Sequence, residues 1–495
     1  DHVETRRRST RLLTQCAAVL FLFLATPVHS APWKPASGPL LSKWAKEVSP
    51  ENVWREYPRP GMVRQDWVNL NGLWNYALTP LDAPRPDSWG GRIMVPFCIE
   101  SALSGVMKEV GPDQALWYER SFVPPANTGG RLILHFGAVD WHATVWVNGK
   151  RTVEHKGGYD PFSFDISEFL DGEDKQLVTV KVVDPTNTGY QPRGKQVRKP
   201  RSIWYTSVTG IWQTVWLEPV PGTFIESVRI TPDIDAGKVS ASVVVAGRPG
   251  PVEIKAHIKH TGRTVGTEVS ARGKSGVPLN LTLDLPNAKL WSPDSPALYD
   301  LVVSLEDDDQ VTSYFGMRKI EVKKDDAGIN RLFLNNEPLF QYGPLDQGWW
   351  PDGLYTAPTD EALRYDIEMT RKLGFNMCRK HVKVEPARWY YWCDKLGLLV
   401  WQDMPSGDKY IGRHAPDYER SAQSEAGFRR EWKAVMDSLH NHPSVVVWVP
   451  FNEGWGQFKT NEILAWTKKL DPSRLVDGPS GWADRGTGDL HDMHM

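Results

Sequence analysis

The sequence predicts a multidomain chain: a jelly-roll-like β-sandwich, an immunoglobulin-like β-sandwich, and then an incomplete (β/α)8 TIM barrel. Three observations predict it. The chain has 495 residues, enough for about three domains at roughly 150 residues each. From about residue 50 to residue 322, short apolar runs recur between turn signals with no helical period, the rhythm of sandwiches. After Asp325-Asp326 the period changes to alternating strands and helices, which signals parallel βα units.

Residues 1–30 read as an export signal. Arg6, Arg7, Arg8 and Arg11 form a basic start, Cys16–Ala25 is an apolar stretch too short to span a bilayer, and Val28–Ala31 offers small residues for cleavage. The expected location is secreted or periplasmic, with no membrane anchor. Residues 31–220 form the first sandwich, with strands expected at Arg131–Phe136, Thr144–Val147, Leu177–Val183 and Thr214–Leu217 and a hairpin signal at Asn148-Gly149. Pro219–Gly222 breaks the pattern. Residues 221–324 form the second sandwich, with strands expected at Ile225–Ile230, Val239–Val245, Val252–Ile258, Leu279–Leu285, Leu298–Leu305 and Gln310–Val322.

Residues 325–495 form the first part of the barrel. Strands are expected at Leu339–Tyr342, Phe375–Arg379, Leu398–Gln402, Ser444–Phe451, Leu475–Val476 and Leu490–Met495. Helices are expected at Asp360–Leu373 behind a Thr359 cap, at Pro386–Leu396 ended by Gly397, at Glu425–Leu439, and at Asn461–Leu470. A closed barrel needs eight strands and about six are found, so the sequence is expected to stop short of the full barrel.

Composition narrows the chemistry. A net charge of −2 gives no drive toward nucleic acid or an anionic membrane. The 23 Trp suit both large cores and the stacking of apolar sugar faces. Cys98, Cys378 and Cys393 remain after the export signal, an odd number with no metal-site spacing, and are expected as buried thiols. His491 and His494 lie three apart, on opposite faces of a strand, so no metal site is expected there.

The chemistry is expected in His440–Phe458, HNHPSVVVWVPFNEGWGQF. Its β-branched run Ser444–Val449 suits a strand buried on both faces. Glu453 then stands at the C-terminal tip, where a βα barrel keeps its reacting groups. Two further tips carry polar residues: Arg379 and His381 in NMCRKHVKVEP, and Asp403 in GLLVWQDMP. An Arg so placed can hold a carboxylate through two parallel hydrogen bonds.

These segments resemble glycoside hydrolase family 2, which includes β-galactosidases, β-glucuronidases and β-mannosidases. GAVDWHATVWVNGK with HKGGYDPFSFDIS, SVTGIWQTVWLE (Ser207–Glu218) and LWSPDSPALYDLVVSL (Leu290–Leu305) extend the resemblance through both sandwiches. It implies cleavage of terminal β-glycosidic bonds with retention, on a glycoside or an oligo- or polysaccharide. It implies that Glu453 is the acid and then the base. It implies substrate contacts from Asn452, Arg379, His381 and Asp403, with Trp455 as a stacking wall and His494 facing the cleft. Trp141, Tyr159 and Trp212 are expected as structural aromatics. No cofactor is required; Mg2+ or Na+ assists some relatives but leaves no signature here. The family's nucleophilic Glu lies on the seventh strand, beyond Met495, so the chain alone is expected to be inactive. The competing expectation is a secreted carbohydrate-binding protein without turnover. The sugar, the linkage and the oligomeric state stay open.

Overall fold

A computed structural model describes residues 33–126, 130–306 and 309–494. The export signal expected in residues 1–30 lies outside them.

The first sandwich packs a four-stranded sheet against a six-stranded one, all antiparallel. The smaller sheet runs in the order Val68–Asn69, Val215–Val220, Arg131–Phe136, Phe162–Asp165. The larger runs Gly91–Val95, Gly72–Pro80, Gln114–Phe122, Gln176–Val183, His142–Val147, Lys150–Lys156. Alternate residues such as Val178, Val180 and Val182 face Leu132, Leu134 and Phe136 in one core. Each such side chain contributes roughly 1.5–3 kcal/mol by leaving water.

The second sandwich sets Thr223–Asp233, Lys238–Gly247 and Leu279–Asp284 against Arg263–Lys274, Pro251–His260, Tyr299–Leu305 and Asp309–Phe315. One strand adds to those expected and one expectation is corrected here. Arg263–Lys274 is a strand with little apolar alternation; it lies at a sheet edge and is mostly exposed, so it needed none. The expected run Gln310–Val322 is two strands. It breaks at Gly316, packed against Trp291 and Pro443, and Arg318 turns to donate to the carbonyls of Pro443, Val445 and Ser473. The second piece, Ile320–Lys324, instead joins a small sheet with Asn330–Leu334 and Glu337–Pro338, and Ile320 and Leu334 pack beneath the barrel strands.

One buried cluster ties the sandwiches together. Glu218 is fully buried and accepts from Arg59 at 2.9 Å, Arg64 at 3.0 Å and Trp216 Nε1 at 2.8 Å. Arg64 also grips Asp309 of the second sandwich at 3.1 and 2.8 Å. Burial alone would raise the Glu218 pKa, but Arg59, His135 and Arg64 hold it well below the usual range. A depressed carboxylate stabilises the fold above its unfolded pKa of about 4.3 and loses that contribution as pH falls through its folded value. Glu218→Gln is therefore expected to cost about 3–5 kcal/mol at pH 7, because it leaves buried arginines short of a counter-charge. Urea titrations of parent and variant should show this gap closing as the pH drops below about 4.

The barrel sheet has five parallel strands among the described residues: β1 (Leu345–Asp346), β2 (Met377–Lys380), β3 (Leu399–Asp403), β4 (Val445–Val449) and β5 (Leu475–Val476), adjacent in that order. Between them run α1 (Asp360–Lys372), α2 (Ala387–Leu396), α3 (Ala422–Leu439) and α4 (Thr460–Leu470). Thr359 caps α1 by accepting from the Ala362 N–H, and Gly397 ends α2 in the left-handed region at φ +76°. All five residues of β4 are buried, as the β-branched run requires.

Two barrel expectations are corrected. The strand expected at Leu339–Tyr342 is displaced to Leu345–Asp346; Phe340 and Tyr342 are exposed, and pairing with β2 advances through the carbonyls of Tyr342, Pro344 and Asp346. No strand forms over Leu490–His494. Leu490 makes a single parallel bridge to Asp477. Asp492 then bonds the Gly481 N–H and the Ser480 hydroxyl through its side chain, which replaces a backbone ladder. Met495 lies outside the described residues. Cys98, Cys378 and Cys393 are free and buried.

Candidate active site at the barrel tips

The C-terminal tips of β2, β3 and β4 bring together five of the expected residues. Asp403, fully buried at the end of β3, accepts from Arg379 Nε at 2.8 Å and Nη2 at 3.0 Å. Its Oδ2 also accepts the Val382 N–H at 3.1 Å and lies 3.0 Å from His381 Nδ1. Burial pushes the Asp403 pKa up; the Arg379 charge and His381 outweigh it and hold the carboxyl below its ordinary value. Arg379 extends the network by donating from Nη2 to Asn452 Oδ1 at 2.9 Å and from Nη1 to Ser480 Oγ. One guanidinium thus fixes the tips of three strands.

Glu453 follows Asn452 in a tight turn. Its φ is +52° and that of Gly454 is +72°, and the Trp455 N–H closes the turn on Asn452 O at 2.9 Å. A residue with a Cβ costs roughly 1–2 kcal/mol in this left-handed conformation. The strain is held by the Glu453 N–H, which donates to Ser480 O at 2.8 Å. The side chain is about one-third exposed, and Oε1 lies 2.7 Å from His494 Nδ1. The geometry aims a carboxyl into open space above a rigid, charge-matched floor.

Trp455 sits differently from the expected stacking wall. It is 8% exposed, edge-on to Trp204 at 4.9 Å and covered by the Arg193 guanidinium at 5.0 Å, so little ring face is left for a sugar. Trp141, Tyr159 and Trp212 are buried, the last two against Tyr355.

The sequence missed Ser480, Asp492, Asp477 and the loop 190–205 of the first sandwich. Asp492 is tied to Ser480, Gly481 and, at 3.5 Å, Arg379, and its pKa is drawn down to about 2 against the opposing effect of burial. Asp477, past the end of β5, is buried with neither carboxyl oxygen hydrogen bonded to a described residue, and burial raises its pKa far above the ordinary value.

The loop is built into the barrel rim. The N–H groups of Arg193 and Gly194 both donate to Ser406 O at 2.9 Å. A Cβ on Gly194 would stand 2.4 Å from Val382 O, and its φ is +59°. Gly194→Ala should therefore lift the loop: limited proteolysis is expected to cut within residues 190–205 in the variant and not in the parent, with the melting of the first sandwich unchanged.

Comparison with known proteins agrees with this architecture. Residues 95–221 match the model described as "Glycosyl hydrolases family 2, sugar binding domain", residues 223–318 match "Glycosyl hydrolases family 2", and residues 356–491 match "Glycosyl hydrolases family 2, TIM barrel domain". A Paenibacillus borealis protein named beta-glucuronidase is 24% identical over 85% of this chain and 73% of its own length. A Thermoanaerobacter pseudethanolicus beta-galactosidase is 28% identical over 73% of this chain. The chain spans only 48% of that galactosidase, and 34% of a putative beta-glucuronidase from Formosa agariphila. In fold, it is similar to the Bacteroides uniformis beta-glucuronidase 2 structure with a TM-score of 0.65 at 21% identity, over 84% of this chain and 52% of that one. The beta-D-glucuronidase of Dictyoglomus thermophilum gives 0.67 at 19% identity, over 85% and 73%. With both sandwiches and the barrel each matched by a model of one family, the chain belongs to glycoside hydrolase family 2.

Proposed function

We propose that the protein cleaves terminal β-glycosidic bonds with retention of configuration, and that Glu453 protonates the departing oxygen and then deprotonates the attacking water. The observation that carries this is the strained, partly exposed Glu453 carboxyl beside the Arg379–Asp403–Asn452 network. In this reading Asn452, Arg379, His381 and Asp403 line the sugar site. The names of the relatives divide between beta-glucuronidase and beta-galactosidase, so they support a β-glycoside and no particular sugar.

Retention also needs an ionised nucleophile. The four aspartates at the described tips are ill-suited. Asp346, at the end of β1, is held by Lys380 Nζ at 2.7 Å and by the Gly348 N–H at 2.8 Å. Asp403 is saturated by Arg379, His381 and the Val382 N–H. Asp492 is tied to Ser480 and Gly481, and Asp477 is buried, which raises its pKa and disfavours the ionised form. We therefore place the nucleophile outside the described residues. The 495-residue chain alone is expected to turn over nothing, whereas the product of the complete reading frame should hydrolyse aryl β-glycosides. Equal turnover by that product and its Glu453→Gln variant would end the assignment.

A further inference from the structure

The Glu453 carboxyl meets one described side chain, His494, whose Nδ1 lies 2.7 Å from Oε1. The groups behind the imidazole decide how that contact works. Its Nε2 lies 3.1 Å from Arg379 Nη1 and 3.0 Å from Ser480 Oγ. A guanidinium can only donate. Ser480 gives its single proton to Asp492 Oδ2 at 2.8 Å. Nε2 is therefore an acceptor, and the ring proton sits on Nδ1, facing Glu453. Asp492 and Glu453 raise the imidazole pKa against the opposing effects of burial and Arg379. A second proton would go to Nε2 and leave the Nδ1–H in place.

The fold makes room for the ring at this spot. Gly481 has a φ of +90°, and a Cβ there would stand 2.6 Å from His494 Nδ1. The Trp482 ring meets the imidazole edge-on at 6.2 Å. Asp492, two residues before it, is pinned by the Gly481 N–H at 2.7 Å. Both imidazole nitrogens are thus engaged, one by the floor of the site and one by the proton donor. Glu453 Oε2, in contrast, has no hydrogen bond to a described residue. An N–H held against Oε1 suits both states of Glu453, because that oxygen accepts as the carbonyl of the acid and as half of the carboxylate.

We propose that His494 is a positioning residue for the proton transfer: its Nδ1–H holds Oε1, and Oε2 is the oxygen that delivers the proton to the departing glycosidic oxygen and takes the next one from the attacking water. The proposal rests on the glycosidase reading and deepens it. It gives His494 a task other than a sugar contact, and it makes Arg379 act on Glu453 at one remove, by fixing which imidazole nitrogen carries the proton.

Two measurements test it. In the product of the complete reading frame, His494→Phe should lower kcat/KM about 10–100-fold for an aryl β-glycoside with a weakly acidic leaving group, the scale of a misplaced reacting group. A dinitrophenyl glycoside, whose leaving group needs no proton, should be nearly spared. His494→Asn, whose Nδ2–H can stand where the Nδ1–H stood, should recover most of the loss. On the 495-residue chain itself, long-range 1H–15N spectra with 15N-labelled histidine, recorded above the imidazole pKa, should show His494 protonated on Nδ1, its signal assigned by its absence in His494→Asn. A proton on Nε2, the form that free histidine favours, overturns the proposal. So does an equal loss for every leaving group, which would make His494 a sugar contact or a prop; either result leaves Glu453 as the acid. A parent that turns over no β-glycoside defeats the glycosidase reading and this proposal with it.

Discussion

In the product of the complete reading frame, Glu453→Gln should lower kcat/KM for an aryl β-glycoside with a weakly acidic leaving group by about 10²–10⁴-fold, the usual contribution of a positioned proton donor. The size of the loss should track the leaving group. A phenolate of high pKa cannot depart unprotonated, so the first step suffers fully. A dinitrophenolate needs no proton, so that step is nearly spared, and the loss of the general base then leaves the glycosyl-enzyme to accumulate as a burst. Azide gives a second readout. With the carboxylate replaced by a neutral amide, a small anion can approach the intermediate without repulsion and needs no deprotonation, so a glycosyl azide of retained configuration should form. The substitution is mild structurally. The Glu453 carboxyl has a single described side-chain partner, His494 at 2.7 Å, and a Gln carbonyl can still accept from it. A loss of the same size for every leaving group, with no azide product, would show that Glu453 holds the site together rather than moving a proton.

What the sequence revealed follows from how local each signal is. The buried strand β4 and the helix α1 were legible because apolar period and cap are written within a dozen residues: Val445–Val449, and Thr359 over Ala362. The body of α3 was legible by its period, but its start at Ala422 behind the Ser421 cap was not. Arg379, Asp403 and Glu453 were legible because each stands at or just past the C-terminal end of a strand: Arg379 is the last residue but one of β2, Asp403 ends β3, and Glu453 is the fourth residue beyond β4. Arg263–Lys274 was not, since an edge strand with an exposed face carries no alternation. The burial of Trp455 was hidden because its cover, Trp204 and Arg193, lies some 250 residues earlier in the chain. Ser480 escaped for a different reason. A serine in a loop has no distinguishing pattern, and only the folded chain shows it accepting from Arg379 and donating to Asp492. Gly194 and Gly407, similarly, read as ordinary loop glycines until the sandwich loop is seen pressed between Val382 O and Ser406 O.

Arg379→Met should destabilise the barrel by about 3–5 kcal/mol, the range for removing one partner of a buried ion pair. The Asp403 carboxylate would stay fully buried with only His381 and the Val382 N–H against it, and Asn452 and Ser480 would each lose a donor. Because the three strand tips share this guanidinium, the loss is not confined to one contact. Two controls separate charge from shape. Asp403→Asn removes the acid while leaving Arg379 its bonds to Asn452 and Ser480, so it should cost less. The double variant Arg379→Met/Asp403→Asn should cost clearly less than the two single losses together, since neither charge is then left unpaired; a coupling of about 1–3 kcal/mol is the expected scale for groups in direct contact. The pH dependence has a definite sign. In the parent, Arg379 depresses the Asp403 pKa, so the pair stabilises the fold above the unfolded value of about 3.9 and fades as pH falls through the folded one. In Arg379→Met the same carboxyl is buried without that cation, so its pKa rises and protonation relieves the strain. The deficit of the variant should thus be largest at neutral pH and shrink in acid. Urea unfolding followed by tryptophan fluorescence from pH 4 to 8 reads all four proteins. Strict additivity, with a deficit independent of pH, would mean that the guanidinium contributes packing alone, and that the floor beneath Glu453 is not held by charge.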